Sequence, residues 1–252
     1  RRDRTRKFLN SVKGETTDNT QKIISHETKE ILEHGNGIWL YQGAPSRAKP
    51  HALLTSGLHS NGYANVGDFI KQNPVKRIML AGLMLFSLKQ QHPFNFTHVV
   101  GADTSSTALA ADIATISGAT QIIMEKSASE KSRDGVTNKQ TWIEYNTLLK
   151  SDDAILHIEE LITTAGSASA VHEGIHFKYP FITKIHFVHY LPVIVDRSNP
   201  KKRVTHIGGL EVLPLLQLDI ESYTADNCPY CQVGSEAIKP KESNNWQRLT
   251  TA

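Results

Sequence analysis

The chain has 252 residues, 39% hydrophobic and 21% charged, with a formal net charge of +3. That is enough for one α/β domain with a buried core and a modest extra lobe. No stretch approaches the roughly 18–20 apolar residues that cross a bilayer. A charge this small, with basic residues scattered beyond Arg1, Arg2, Arg4, Arg6 and Lys7, argues against nucleic acid as the partner.

Residues 1–19 read as a basic, disordered arm, with a targeting or RNA-touching segment as the sharper alternative. The chain starts without Met, which leaves room for an upstream piece. A helix follows, with Asp18, Asn19 or Thr20 as its cap, Ile24 and Ile31 on one face, and Gly35 and Gly37 as its stop. Ile38 to Tyr41 reads as a strand, residues 45–50 as a loop, and His51 to Val66 as strand, turn and strand. Pro74 opens a helix to about Lys89.

A repeating pattern comes next. Thr97 to Val100 is a strand. Ser106 to Ser117 is a helix with Leu109, Ile113 and Ile116 aligned, closed by Gly118. Gln121 to Met124 is a strand, and Ala128 to Gln140, polar and without periodicity, is a mobile loop. Ala154 to Ile158 is a strand and Ala165 to Phe177 a helix with Ala168, Val171 and Ile175 on one face. Ile185 to Val195 is a strand bent at Pro192. Alternating strands and helices predict an α/β fold with a mostly parallel sheet covered on both faces. Residues 20–198 are taken as the domain, with small hood elements at its start, and 199–252 as a C-terminal appendage packed on it.

Ligands of such sheets sit beyond the carboxyl ends of the strands. The strand Ala154-Ile155-Leu156-His157-Ile158 runs into Glu159-Glu160, then Leu161-Ile162, then Thr163-Thr164-Ala165-Gly166-Ser167 and a helix. Small residues let backbone N–H groups converge on an anion, the Thr163, Thr164 and Ser167 hydroxyls add donors, and the helix start adds its positive end. Two carboxylates before such a cradle can accept hydrogen bonds from sugar hydroxyls. The bland alternative is a helix-capping turn preceded by solvated charges.

The run Ile158 to Ser167 resembles the phosphoribosyl pyrophosphate (PRPP) signature of type I phosphoribosyltransferases. Within that group the chain resembles the orotate phosphoribosyltransferases most. Leu54 to Tyr63 is similar to their early Ser-Gly-x-x-Ser segment, and Val99 to Ser106 stands where they have a pyrophosphate loop. Met124-Glu125-Lys126 stands where their mobile catalytic loop starts, and Val195-Asp196-Arg197-Ser198 matches a segment after their last strand. Cys228-Pro229-Tyr230-Cys231 through Lys239-Pro240 resembles a tail of some members.

The resemblance implies a type I phosphoribosyltransferase fold and the following roles. Thr163, Thr164, Ala165, Gly166 and Ser167 bind the 5-phosphate. Glu159 and Glu160 hold the ribose hydroxyls and stabilise an oxocarbenium-like transition state. Ala102, Asp103, Thr104, Ser105 and Ser106 face pyrophosphate. Lys126, with Lys131 or Arg133, closes over the leaving group. Ser56 and Tyr63 approach the base, and Arg197 faces its carboxylate. Magnesium rides mainly on PRPP oxygens. The reaction implied is orotate plus PRPP to orotidine 5'-phosphate plus pyrophosphate, in a cytoplasmic homodimer. The alternatives are a non-catalytic PRPP- or nucleotide-binding module of the same fold, or transfer to another base.

The sequence departs from the family pattern in several places. Glu160 stands where Asp is usual, Ala165 replaces the first signature glycine, and Asp103 lies in the pyrophosphate loop without the usual basic residue. Glu125 occupies a basic position, Thr55 replaces a base-binding lysine, and the loop histidine is absent. Each lost charge-assisted contact costs about 1.5–3 kcal/mol.

Cys228 and Cys231 could supply half of a zinc site. Zinc normally takes four ligands and no second cysteine pair exists, so the pair reads as a structural turn, with sharing between chains as the alternative. None of the twelve histidines has zinc-enzyme spacing. His157 reads as a satisfied buried or cleft-edge residue, and the three tryptophans as packing residues.

Overall fold

The computed structural model describes residues 17–91, 95–102, 105–126, 140–143, 149–178 and 185–251. The N-terminal arm up to residue 16, Asp103, Thr104, Lys131, Arg133 and the loop over 128–139 lie outside them.

Helix α1 spans Thr17–Glu33, so the expected caps Asp18, Asn19 and Thr20 lie inside it. Its buried stripe is Thr20, Ile24, Thr28 and Leu32, spaced four apart, and Ile31 only borders it. Short strands β1 (Ile38–Leu40), β2 (His51–Leu53), β3 (His59–Ser60) and β4 (Gly62–Ala64) follow. A helix that periodicity did not reveal, α2 (Val66–Gln72), precedes α3 (Pro74–Lys89), which begins at proline as expected. Then come β5 (His98–Gly101), α4 (Ser105–Ser117), β6 (Thr120–Lys126) and β7 (Gln140–Ile143). Ile116 of α4 is exposed; its buried face is Ser106, Leu109, Ala110, Ile113 and Ala114.

Strand β8 (Ala154–Ile162) is longer than expected and carries the paired glutamates within it. Helix α5 (Gly166–Lys178) buries Ala168, Val171 and Ile175, as its periodicity requires. The segment after it is two strands, β9 (His186–Phe187) and β10 (Tyr190–Asp196), broken at Val188-His189. Pro192 sits inside β10, paired in register with Leu213. Beyond lie β11 (His206–Ile207), β12 (Leu210–Gln217), β13 (Ser222–Tyr223), a 3-10 turn at Ala225–Asn227, α6 (Pro229–Gln232), β14 (Ala237–Ile238) and α7 (Asn245–Thr250).

The main sheet has the order β11-β12-β10-β8-β5-β6-β7, with β9 also on β8. Its inner strands β12, β10, β8, β5 and β6 are parallel, and both edges are antiparallel. Alternate residues feed opposite faces. Val99, Leu156 and Ile158 pack under α1 to α4, whereas Val100, Ile122 and Ile155 pack under α5 with Val171 and Ile175. The stretch expected to be an appendage builds the fold itself. It supplies β12 to the main sheet, and β13 and β14 to a second sheet ordered β13-β3-β2-β14. Beside that sheet Trp39, Ala52, Ile238 and Leu249 form a small core of their own, with Tyr41, Tyr63 and Trp246 against it. Among the described residues no helix is long and apolar enough to cross a membrane.

Candidate active site

The connection after β5 runs through α4 on one face of the sheet, and that after β8 through α5 on the other. The switch point therefore lies between β5 and β8, where their carboxyl ends diverge and open a crevice. Gly101 pairs with Ile158, so Ala102 comes level with Glu159. Asp196 pairs with Ile162, which brings Arg197 beside the start of the loop after β8. Parallel strands thus collect Ala102, Thr163 to Ser167 and Arg197 along one edge, with Lys126, exposed, at the same end of β6.

The loop and the first turn of α5 are open to solvent, with Thr164, Gly166 and Ser167 exposed and Thr163 and Ala165 half-buried. The first N–H groups of a helix have no partner within it. Here Gly166 and Ser167 at that start are exposed, with the positive end of the helix dipole behind them.

Glu159 is buried and Glu160 half-buried, so the two are not freely solvated charges. Positions 155, 157 and 159 point to the α5 face, and Glu160 points to the other. Glu159 is 3% exposed. Its Oε1 lies 3.0 Å from His157 Nε2, and its Oε2 lies 3.0 Å from Ser106 Oγ. The Ala102 N–H also bonds its carboxylate. His157 Nδ1 lies in turn 2.9 Å from His172 Nε2 on α5. Ser106 Oγ touches Glu160 Oε2 as well. One hydroxyl has a single proton and can donate to only one of two carboxylates at a time, so this arrangement favours holding a proton on the pair.

The electrostatics agree. Burial pushes Glu159 up to about 8, against the lowering pull of Ser106 and the Ala102 N–H. Burial, and then the charge of Glu159, raise Glu160 to about 7. Burial pulls His157 down to about 3, and burial with neighbouring His157 does the same to His172.

Helix α2 closes over this pair. A Cβ added at Gly67 would lie 2.6 Å from Ser105 Oγ and 3.7 Å from Glu160 Oε1, so the absent side chain lets the helix approach. The Lys71 ammonium, one turn on, acts on Glu160. Neither Gly67 nor Lys71 was marked by the sequence, because α2 carries no periodic apolar run long enough to announce it. The pairing of His157 with Glu159 was available from strand alternation; His172 was not.

Arg197 is half-buried, and its Nε has no hydrogen-bond partner among the described residues. Burial lowers its pKa, and the nearby Tyr63 opposes that shift. The structure therefore brings together Arg197 and Tyr63, two residues expected at the base. Lys241, bonded to Asp68 at 2.8 Å, also feels Tyr63. Ser56 is exposed at the tip of the β2–β3 hairpin. A groove of about 540 Å³ lies elsewhere, lined by Gln21, Lys22, Gln90, Pro214 and Gln217 among others. It lacks convergent charged groups and lies apart from the switch point, where the polar and charged groups converge.

No family model matches the chain. The orotate phosphoribosyltransferase of Desulforamulus reducens is 26% identical over 190 residues, covering 75% of this chain and 87% of that protein. That of Sulfurimonas denitrificans is 26% identical over 216 residues, covering 82% and 98%. Among solved structures, orotate phosphoribosyltransferase from Aeropyrum pernix superimposes with a TM-score of 0.50 at 12% identity, over 75% of this chain and 92% of that one. The protein has the type I phosphoribosyltransferase fold and resembles the orotate phosphoribosyltransferases. The Leishmania donovani UMP synthase structure gives the same TM-score of 0.50 at 15% identity. There this phosphoribosyltransferase-like chain covers only 36% of the longer protein.

Proposed function

We propose that the protein transfers a phosphoribosyl group from PRPP to orotate or a closely similar pyrimidine, releasing pyrophosphate. The observation that carries the proposal is the juxtaposition at the switch point. An exposed, small-residue helix start at Gly166 stands six residues beyond Glu160, with Arg197, whose buried Nε has no hydrogen-bond partner among the described residues, one strand away. The 5-phosphate would sit on the N–H groups of the α5 start and the hydroxyls of Thr163, Thr164 and Ser167. Arg197 and Tyr63 would receive a base that carries a carboxylate. Magnesium would travel on PRPP oxygens, which suit this hard ion.

In this reading the acid pair acts when ionised, because only a carboxylate stabilises positive charge at the anomeric carbon. Protonated below about 7–8, Glu159 and Glu160 would be released by rising pH. The test is formation of orotidine 5'-phosphate from orotate, PRPP and magnesium across that range. Turnover that climbs with pH through about 7–8 supports the proposal. No product at any pH contradicts it.

A second reading has its own support. Glu159 is bonded to His157, Ser106 and the Ala102 N–H, and α2 covers its neighbour. An acid pair so engaged suits a module that binds PRPP or a nucleotide without turning it over. Calorimetric binding of PRPP with no turnover selects this reading over the first.

A further inference from the structure

Away from the sheet edge, four side chains from distant parts of the chain converge on one point. His51 lies on β2, His59 on β3, and Cys228 and Cys231 bracket the first turn of α6. His51 Nε2 is 2.9 Å from His59 Nδ1, 3.5 Å from Cys228 Sγ and 3.6 Å from Cys231 Sγ. Cys231 Sγ is 3.2 Å from His59 Nδ1, and all four donor atoms lie within 4.8 Å of one another. A tetrahedral zinc ion, with bonds of about 2.0–2.1 Å to nitrogen and 2.3 Å to sulfur, sets its ligand atoms about 3.3–3.8 Å apart. The nitrogen–sulfur spacings lie within a few tenths of an ångström of that range; the two nitrogens need to part by a similar amount.

We propose that His51, His59, Cys228 and Cys231 form a structural zinc site that clips the C-terminal tail to the β2–β3 hairpin. Three further observations support it. His51 Nδ1 lies 2.8 Å from Ser235 Oγ, whose single proton goes to the Lys49 carbonyl at 2.6 Å. Ser235 therefore accepts from His51 Nδ1–H, leaving a lone pair on Nε2 aimed into the cluster. Metal-ligating histidines are held by outer bonds of this kind.

The cluster is also closed. His51 and Cys228 are fully buried, and Tyr230 stacks on the His51 ring at 5.3 Å, backed by Tyr41. Four protein donors with no open position describe a structural zinc site rather than a catalytic one. Finally, nitrogen and thiolate donors select zinc over magnesium or calcium.

The clip joins residues 177 apart, Cys228 and His51, and 172 apart, Cys231 and His59. Beside it, Ala237 of β14 pairs with His51 of β2, so metal and sheet hold the same junction. The hairpin bears the exposed Ser56 at its tip.

The test uses the full chain, purified with thiols reduced and no chelator. Elemental mass spectrometry is expected to find about one zinc per chain, lost in Cys228→Ser and Cys231→Ser. Cobalt loaded into the metal-stripped wild-type chain is expected to give intense d–d bands and a thiolate charge-transfer band, the marks of a tetrahedral site with sulfur ligands. Stripping zinc lowers the melting temperature, and zinc but not magnesium restores it. Ser235→Ala keeps the site with affinity about 10–100-fold weaker. A wild-type chain with free thiols that takes up no zinc and gives no such cobalt spectrum overturns the proposal. So does a Cys228–Cys231 disulfide whose reduction yields no metal binding. Because the cobalt spectrum is read on wild type, a serine variant that fails to fold does not remove the test.

Discussion

Glu159 and Glu160 present the sharpest physical problem at the residue scale. Two acids and one serine hydroxyl share a pocket closed by α2, and burial holds both carboxyls toward their neutral forms. A carboxyl whose folded pKa lies above its unfolded value adds stability below the unfolded value, and that stability is lost as pH rises through the folded one. For this pair the loss runs from about 4.5 to about 7 and 8. His157 and His172, depressed to about 3, act the other way between 3 and 6.5 and offset it there. Above 6.5 the acids act alone. Urea unfolding is therefore expected to show stability falling between pH 6.5 and 8. Glu159→Gln, which keeps the shape and removes the titration, is expected to flatten much of that fall; an unchanged slope contradicts the assignment.

Arg197 supports a second prediction at this scale. Its Nε is buried and unpartnered among the described residues, so a carboxylate arriving there meets a cation already stripped of much of its water. Arg197→Ala is expected to weaken orotate binding by about 10–100-fold, the equivalent of about 1.5–3 kcal/mol for a charged hydrogen bond. PRPP affinity is expected to stay within about twofold, because the proposed phosphate cradle lies on α5. Equal losses for both ligands would show a general disruption instead. Titration calorimetry of each ligand separates the outcomes.

At the scale of elements, strand and helix signals were readable wherever an apolar run was long. Helix α3 from Pro74 and the buried face of α5 followed directly from proline placement and 3.6-residue spacing. Helix α2 escaped because seven residues with Gly67 and Asp68 in the first turns give no clear period. The break at Val188-His189 escaped because an apolar run does not mark where a strand leaves its neighbour. Helix α5 rests closely on β7. A Cβ at Gly174 would stand 2.3 Å from the Gln140 carbonyl oxygen and 2.8 Å from Met124 Cε. Backbone cannot yield as a side-chain tip does, so Gly174→Ala is expected to lower stability by about 1–3 kcal/mol. A denaturation midpoint unchanged from wild type would mean that α5 sits farther from β7.

At the scale of the whole molecule, the candidate site combines segments from Ser56 to Arg197, yet the strand, loop and helix start proposed to hold phosphate were legible in one continuous string. Thr163 to Ser167 follows a strand and opens a helix, and that local order carries its own chemistry. The closure of the acid pair was not legible, because it depends on α2, α4 and α5 meeting around β8. The metal cluster was half legible. Cys228 and Cys231 announced a pair, but their partners are histidines brought close only by the β2–β3 hairpin and the pairing of β14 with β2. The tail from residue 199 lacked strong periodicity and yet supplies strands to the main sheet and to the β13-β3-β2-β14 sheet.

The most direct measurement of the central claim is calorimetric titration of the full chain with PRPP and magnesium, alongside the variant Ser167→Glu. Ser167 is exposed, so the added carboxylate disturbs little of the core while setting a negative charge in the first turn of α5. Saturable one-to-one binding by the wild type, reduced at least about tenfold in the variant, is the expected result. No binding by the wild type, or equal binding by both proteins, would contradict a phosphate held at that helix start.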